Sequence, residues 1–515
     1  MILQRAEKVY NIGMLKGRRL LYLILAILLI IFYLKGALFL DPDFGWHLQM
    51  GKYVLAHGIP ATDPFSYTMP SYPFVDHEWL INVLIAKAMV GWGGYSLLAV
   101  IFSVLTLGAL LLSLATISHK NLRFVPIPLL LAGLTFYAFT GVRTQVVTWV
   151  FFALLLWIIR SKKNFSRFRW FIPAIFVFWV NLHGGFAAGV VALFLACSYW
   201  YRQKQSSLRS LSLLFLLSLG ATCISPYGYR TWWEVWMQMT DGMLRVTIQE
   251  WLPAFYSLDL AMWIFAALSV ILVVRSFKKF SFLDLTLYAG LLVAGLSSIR
   301  HMPLWLLVAL PLTIQGIELF FQEAARIEKG EERFIKFGKI LFTGCCLLLV
   351  FPIWMMINGL GLAGRQSVYP DQAIVYLRLH PVRGQVFSTY DWGGYLIWKL
   401  PEKKVFIDGR MPSWRWEANL KGESNYAFLD YRKFADGKTA FNQTINKYNI
   451  TVLLLPKSQQ PKNNFLDKMI FDFGNNVLHL PLKKDVGLEK IAEAARKEGW
   501  KIVYQDKAAI VYQKL

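Results

Sequence analysis

The sequence predicts a polytopic α-helical membrane protein of about eleven spans, followed by a C-terminal α/β domain outside the bilayer. Three observations predict it. Apolar runs close to the roughly 20-residue length that crosses a bilayer recur through the first 358 residues. Mean hydropathy is +0.44, with 56% hydrophobic residues and 20 Trp, which is no soluble chain's balance. Beyond residue 359 the long apolar runs stop, and short helix and strand signals alternate.

The predicted spans are 20–40, 95–117, 124–140, 145–159, 170–181, 186–201, 210–225, 259–274, 281–299, 301–321 and 339–358. Several fall short of full span length, so tilting, hairpin pairing or partial entry is expected of them. The first is too long, and too poorly matched to a small-residue cleavage site, for a removable signal peptide, so it reads as a retained helix. A net charge of +23 invites a nucleic-acid partner, but the positions of the charges argue for none. Basic residues crowd alternate loops: Arg5 to Arg19, Lys120 and Arg123, Arg160 to Arg169, Arg202 to Arg209, Arg275 to Lys279, and Arg326 to Lys339. The intervening loops before residue 359 hold only Lys52, Lys87, Arg143, Arg230, Arg245 and Arg300. By the positive-inside rule this predicts a multi-pass plasma-membrane protein, its N-terminus cytoplasmic and its C-terminal domain extracytoplasmic. All four cysteines lie in apolar runs, so no disulfide framework is expected.

Residues 1–358 form the predicted membrane domain, with a long first outer loop at 41–94 and a second at 226–258. In the first loop Asp41 suits an N-cap, Pro42 the first helical position and Asp43 the positive end of the helix dipole, with Gly58 and Pro60 as stops. A second helix is expected from Asp76, its Trp79, Leu80, Val83 and Leu84 forming a stripe suited to the membrane interface. Residues 359–515 form the outer domain, reached through Gly359, Gly361 and Gly364. There helices are expected at 371–380, 393–400 and 488–498, strands at 385–388, 404–407 and 451–455, and a hairpin from 501–505 and 508–512.

Polar groups gather at the outer ends of the spans. Asp41, Asp43 and His47 follow the first span, and Asp76, His77 and Glu78 precede the second. Arg143 and Gln145, Asn181 and His183, and Arg300 and His301 occupy three short connections. Ionisable groups at that depth cost free energy and usually serve function. Two arginines suit bidentate phosphate binding, and a carboxylate suits proton removal from an attacking hydroxyl. A divalent cation could be held by Asp43, His47, His77 and Glu78, although no ligand spacing demands one. Each residue also has a bland role: Asp41 and Asp76 as caps, Asn181 and His183 as interhelical hydrogen-bonders, the arginines as snorkelling cations, Glu250 as an interfacial acid. In the outer domain Asp391-Trp392-Gly393-Gly394 and Asp408-Gly409-Arg410 stand out, the latter also readable as a simple turn with a local ion pair.

With an Asp-x-Asp pair ending the first span, a helical first outer loop and a C-terminal outer domain, the chain resembles the GT-C superfamily of integral-membrane glycosyltransferases, and in its short motifs uncharacterised bacterial members. The resemblance implies a glycosyltransferase of hexosyltransferase type, using a polyprenyl-phosphate-linked sugar as donor and a glycan, lipid or protein acceptor of the cell envelope. It further implies inversion, with Asp41 or Asp43 as base, Arg143, Gln145, Asn181, His183, Arg300 and His301 about the donor phosphate, and His47, His77, Glu78, Asp408 and Arg410 in support. Competing readings are a transporter or flippase for a lipid-linked substrate, which needs a polar path at the midplane, and a non-catalytic envelope scaffold.

Overall fold

The computed structural model describes residues 2–91, 93–115, 117, 124–324, 369–417, 420–457 and 487–514, with scattered positions between 336 and 357; for residues 2–18 and 487 only the backbone course is given. By contacts the chain forms two compact units. One comprises 1–40, 93–228 and 253–359, and the other 41–92, 229–252 and 360–515. Sequence put the boundary at 358/359 and both outer loops with the spans; most of each loop clusters instead with the C-terminal residues.

The first unit is built of apolar helices. Arg19–Leu38 (the apolar part of Ile2–Leu38), Gly94–Leu114 and Ile299–Glu323 are long and apolar enough to cross a bilayer. Gln145–Ile159 and Lys162–Leu182, bent by 107° about the break, make a fourth if counted together. Pro126–Phe139, Phe186–Arg202, Leu208–Ala221, Leu260–Arg275 and Phe282–Ser297 are apolar but shorter. A 16-residue helix rises about 24 Å, less than the ~30 Å hydrocarbon core. Among the described residues three helices, or four with the bent pair, reach spanning length, so the expected count of about eleven is not confirmed. Part of the expected span 339–358 lies outside the described residues. Phe136, Phe152, Phe176, Trp179, Phe186 and Trp305 fill this unit's interior.

The second unit carries a four-stranded sheet in the order β1-β2-β4-β3. Strand β1 (Gln385–Ser388) runs parallel to β2 (Ile450–Pro456), while β4 (Ala509–Gln513) is antiparallel to β2 and to β3 (Lys501–Gln505). The central strand β2 is buried from Val452 to Leu455, so both its faces are covered. Helices Asp371–Leu379, Tyr390–Lys399, Ala427–Ala435, Phe441–Lys447 and Gly487–Lys497 complete the C-terminal portion. Residues 404–407, expected as a strand, do not join the sheet. Val405 N–H donates to Phe65 O at 2.9 Å and Val405 O accepts from Tyr67 N–H at 3.1 Å, a single parallel bridge at Ser66. The first loop takes up these backbone groups, which satisfies them without a sheet neighbour.

Candidate active site

In the second unit the Asp41–Asp43 pair opens helix Phe44–His57, two residues later than a cap at Asp41 would have it. The Asp41 carboxylate accepts the N–H of Asp43 at 2.9 Å, a turn that fixes the chain just before the helix instead of capping it. Asp43 holds the N-cap position without a side-chain cap bond, and Gly58, at φ 81°, ends the helix. Asp76 repeats the pattern: its Oδ1 accepts Glu78 N–H at 3.1 Å, and the second helix begins at Trp79.

These two helices pack closely. A Cβ on Gly51 would lie 1.9 Å from the carbonyl oxygen of Asn82, so only glycine permits the approach. That approach places His47 Nδ1 2.7 Å from Asn82 Oδ1, while Asn82 Nδ2 donates to Asp76 Oδ1 and Oδ2 at 3.0 and 2.9 Å. With its amide nitrogen turned to Asp76, Asn82 offers oxygen to the histidine, which assigns the proton to Nδ1. Glu78 Oε2 lies 3.7 Å from the same nitrogen, and His77 Nε2 lies 3.9 Å from Glu78 Oε1. Burial pushes the His47 pKa below its ordinary 6.5, against the pull of Glu78 and the Asn82 bond. Burial also pushes Asp76 up to about 7, against the Asn82 bond. Asn82 was missed in the sequence, although an amide inside the apolar run Trp79–Val90 was a legible signal.

Asp408 and Arg410 form the second polar group of this unit, and a local ion pair is only half of it. Arg410 Nε and Nη2 each donate to an oxygen of Asp408 at 2.7 Å, and Nη1 donates to Asp63 Oδ1 at 2.7 Å. The guanidinium also lies 5.1–5.9 Å from the ring centroids of Trp46, Phe65, Phe74 and Trp414. Asp63 and Asp408 each hold a turn as well, accepting the N–H of Phe65 at 3.2 Å and of Arg410 at 3.0 Å. Between the motifs Gly409 faces Asp43, where an added Cβ would lie 1.8 Å from Asp43 Oδ1. The Asp-x-Asp and Asp-Gly-Arg motifs thus touch, and Asp63 is a partner that no spacing announced.

The second loop adds helix Arg230–Thr240, whose Glu234 is buried. Tyr72 Oη donates to Glu234 Oε2 at 3.4 Å and Gln238 Nε2 to Oε1 at 3.3 Å. Burial raises the Glu234 pKa, against His77. Glu250, the acid noticed in this loop from sequence, is half-buried in the short turn Gln249–Trp251.

The remaining candidates belong to the first unit. Arg143 is half-buried just before helix Gln145–Ile159, and Gln145 Nε2 donates to Phe139 O at 3.3 Å. His183 Nδ1 accepts the N–H of Gly185 at 2.9 Å and lies 2.8 Å from Thr148 Oγ1, which itself accepts from Trp179 Nε1 at 2.9 Å. Asn181 Nδ2 donates to Val177 O of its own helix and to Ile224 O of the loop after Leu208–Ala221, at 2.7 and 2.8 Å. Arg300 and His301 sit half-buried on the turn Ile299–His301 that leads into Met302–Ala324. Among the described residues no three of His, Cys, Asp or Glu assemble as a metal-binding group; Asp43, His47, His77 and Glu78 included.

No family model matches the chain, and no curated protein matches it in sequence. In structure it is similar to an oligosaccharyltransferase of Archaeoglobus fulgidus, crystallised in the apo form, with a TM-score of 0.54 at 12% identity over 96% of this chain and 74% of that one. The likeness is one of fold.

Proposed function

We propose that this membrane protein is an inverting glycosyltransferase that moves a sugar from a polyprenyl-phosphate-linked donor to a glycan, lipid or protein acceptor of the cell envelope. The observation that carries the reading is the seat of the Asp-x-Asp pair: Asp43 lies against Gly409 of an Asp-Gly-Arg turn, four residues ahead of a histidine held by Asn82, which is itself bonded to Asp76. Likeness of fold to an oligosaccharyltransferase supports it. In the proposed reaction the acceptor oxygen bonds to the anomeric carbon, its proton passes to Asp41 or Asp43, and the sugar–phosphate bond breaks with its electron pair leaving on phosphate. Arg143 and Arg300 would bind the phosphate through paired N–H donors, assisted by Gln145, Asn181, His183 and His301. His47, His77, Glu78, Asp408 and Arg410 would hold the acids in place. The loop charges support placing the site on the outer face of the membrane, taken here as the plasma membrane.

The test is mass spectrometry of envelope glycans and lipids from a deletion strain, complemented with wild type, Asp41→Asn or Asp43→Asn, at matched membrane levels. Loss of one sugar that wild type alone restores is the expected result. An unchanged glycan profile, or full rescue by both variants, overturns the reading and leaves the scaffold.

A further inference from the structure

Helix Arg230–Thr240 has two unlike faces. Thr231, Glu234 and Met237 are buried, whereas Trp233 and Trp236 are 59% and 62% exposed, with Tyr229 just ahead at 76% and Met239 at 41%. Positions 229, 233 and 236 fall on one side of a helix by their spacing. We propose that this aromatic side is a lipid-docking surface, seated in the headgroup layer of the bilayer.

Three features favour lipid over water or protein. First, the exposed stripe carries no charge, whereas the solvent face of a water-exposed helix is polar. Second, Tyr and Trp are the residues preferred at headgroup depth, where an apolar ring and a polar N–H or O–H are both satisfied. Third, the segment 229–252 is bracketed in sequence by two apolar helices, Leu208–Ala221 and Leu260–Arg275, so its stripe stands where a chain leaving lipid places its aromatic belt. In the interfacial stripe expected at Trp79–Leu84, Val83 is buried and Leu84 is 48% exposed, while that helix packs on Phe44–His57 through its other side. On its buried face the docked helix holds Glu234 against Tyr72, so lipid contact and the polar interior of this unit meet on one element. The proposal is independent of the transferase reading.

The test uses the full chain, freed of its native cysteines, in lipid nanodiscs. A single cysteine replaces Trp233, Trp236 or the exposed Lys421, and each is labelled with an environment-sensitive fluorophore. Lipid spin-labelled near the headgroup should quench positions 233 and 236 at least about twofold more than 421, with aqueous iodide showing the reverse order. Tyr229→Cys gives the same reading if either Trp variant fails to fold. Labels at 233 and 236 that follow 421, or that neither quencher reaches because a second protein copy covers them, overturn the proposal.

Discussion

Buried polar groups are handled differently in the two units. In the first, several hydroxyls turn back onto their own helix: Ser103 donates to Ala99 O, Thr106 to Phe102 O, Thr135 to Leu131 O, Ser218 to Leu214 O and Thr313 to Ala309 O, all at 2.6–3.0 Å. In the second, the buried groups are charged and satisfy one another across the chain, as Arg410 does with Asp408 and Asp63. A hydroxyl needs one acceptor, and a carbonyl already engaged in a helix can supply it. A carboxylate needs several donors, so each buried acid recruits a turn N–H, an amide or a guanidinium. Hydroxyls in the first unit also cross between helices, as Ser113 does to Leu307 O at 2.6 Å, but many close within one helix, whereas the buried acids of the second depend on partners brought from elsewhere in the chain.

The sharpest way to break this contrast is Arg410→Met. It strands two buried carboxylates and should cost about 3–5 kcal/mol, read as a large drop in thermal midpoint or in folded yield on size exclusion. A loss below 1 kcal/mol would mean the ion triad is not the keystone its geometry suggests. Gly51→Ala pushes a methyl onto the Asn82 carbonyl and should cost about 1–3 kcal/mol, loosening His47 from Asn82 as well; an unchanged midpoint would refute the close approach.

The acids also predict a pH dependence. The folded pKa of Asp76 is raised to about 7 from 3.8 unfolded, so the folded state binds the extra proton between those values. Its contribution to stability is complete below the unfolded value and fades as pH rises through 7. The thermal midpoint of Asp76→Asn relative to wild type should therefore climb from pH 4 to pH 7. A pH-independent difference would argue against a neutral Asp76. The smallest effect tests the other unit. Thr135→Val removes a buried hydroxyl bonded only within its helix and should cost less than about 1 kcal/mol; a loss comparable to that of Arg410→Met would erase the contrast.

Much of the second unit was legible locally. The stop at Gly58, the helix after Asp76, β1, β2 and the closing β3–β4 hairpin follow from turn residues and from alternation. What misled was a chemistry that sequence cannot separate: aspartate caps a helix or holds a turn with the same carboxylate. Asp41 and Asp76 were expected as caps, and both instead receive the N–H two residues on. The strand at 404–407 failed for a related reason, since its hydrogen-bond partners at Phe65 and Tyr67 lie over 300 residues away.

By itself the sequence determined the apolar helices, the charge asymmetry between loops and the kinds of side chain available for chemistry, because these depend on composition and short-range spacing. Tertiary structure alone decided which acid meets which base. Asp63 reaches Arg410 across 347 positions, Asn82 separates Asp76 from His47, and Asp43 settles on Gly409. The physical reason is range: hydropathy and turn preference act over a few residues, whereas a buried charge is stable only beside the particular donor that folding brings to it.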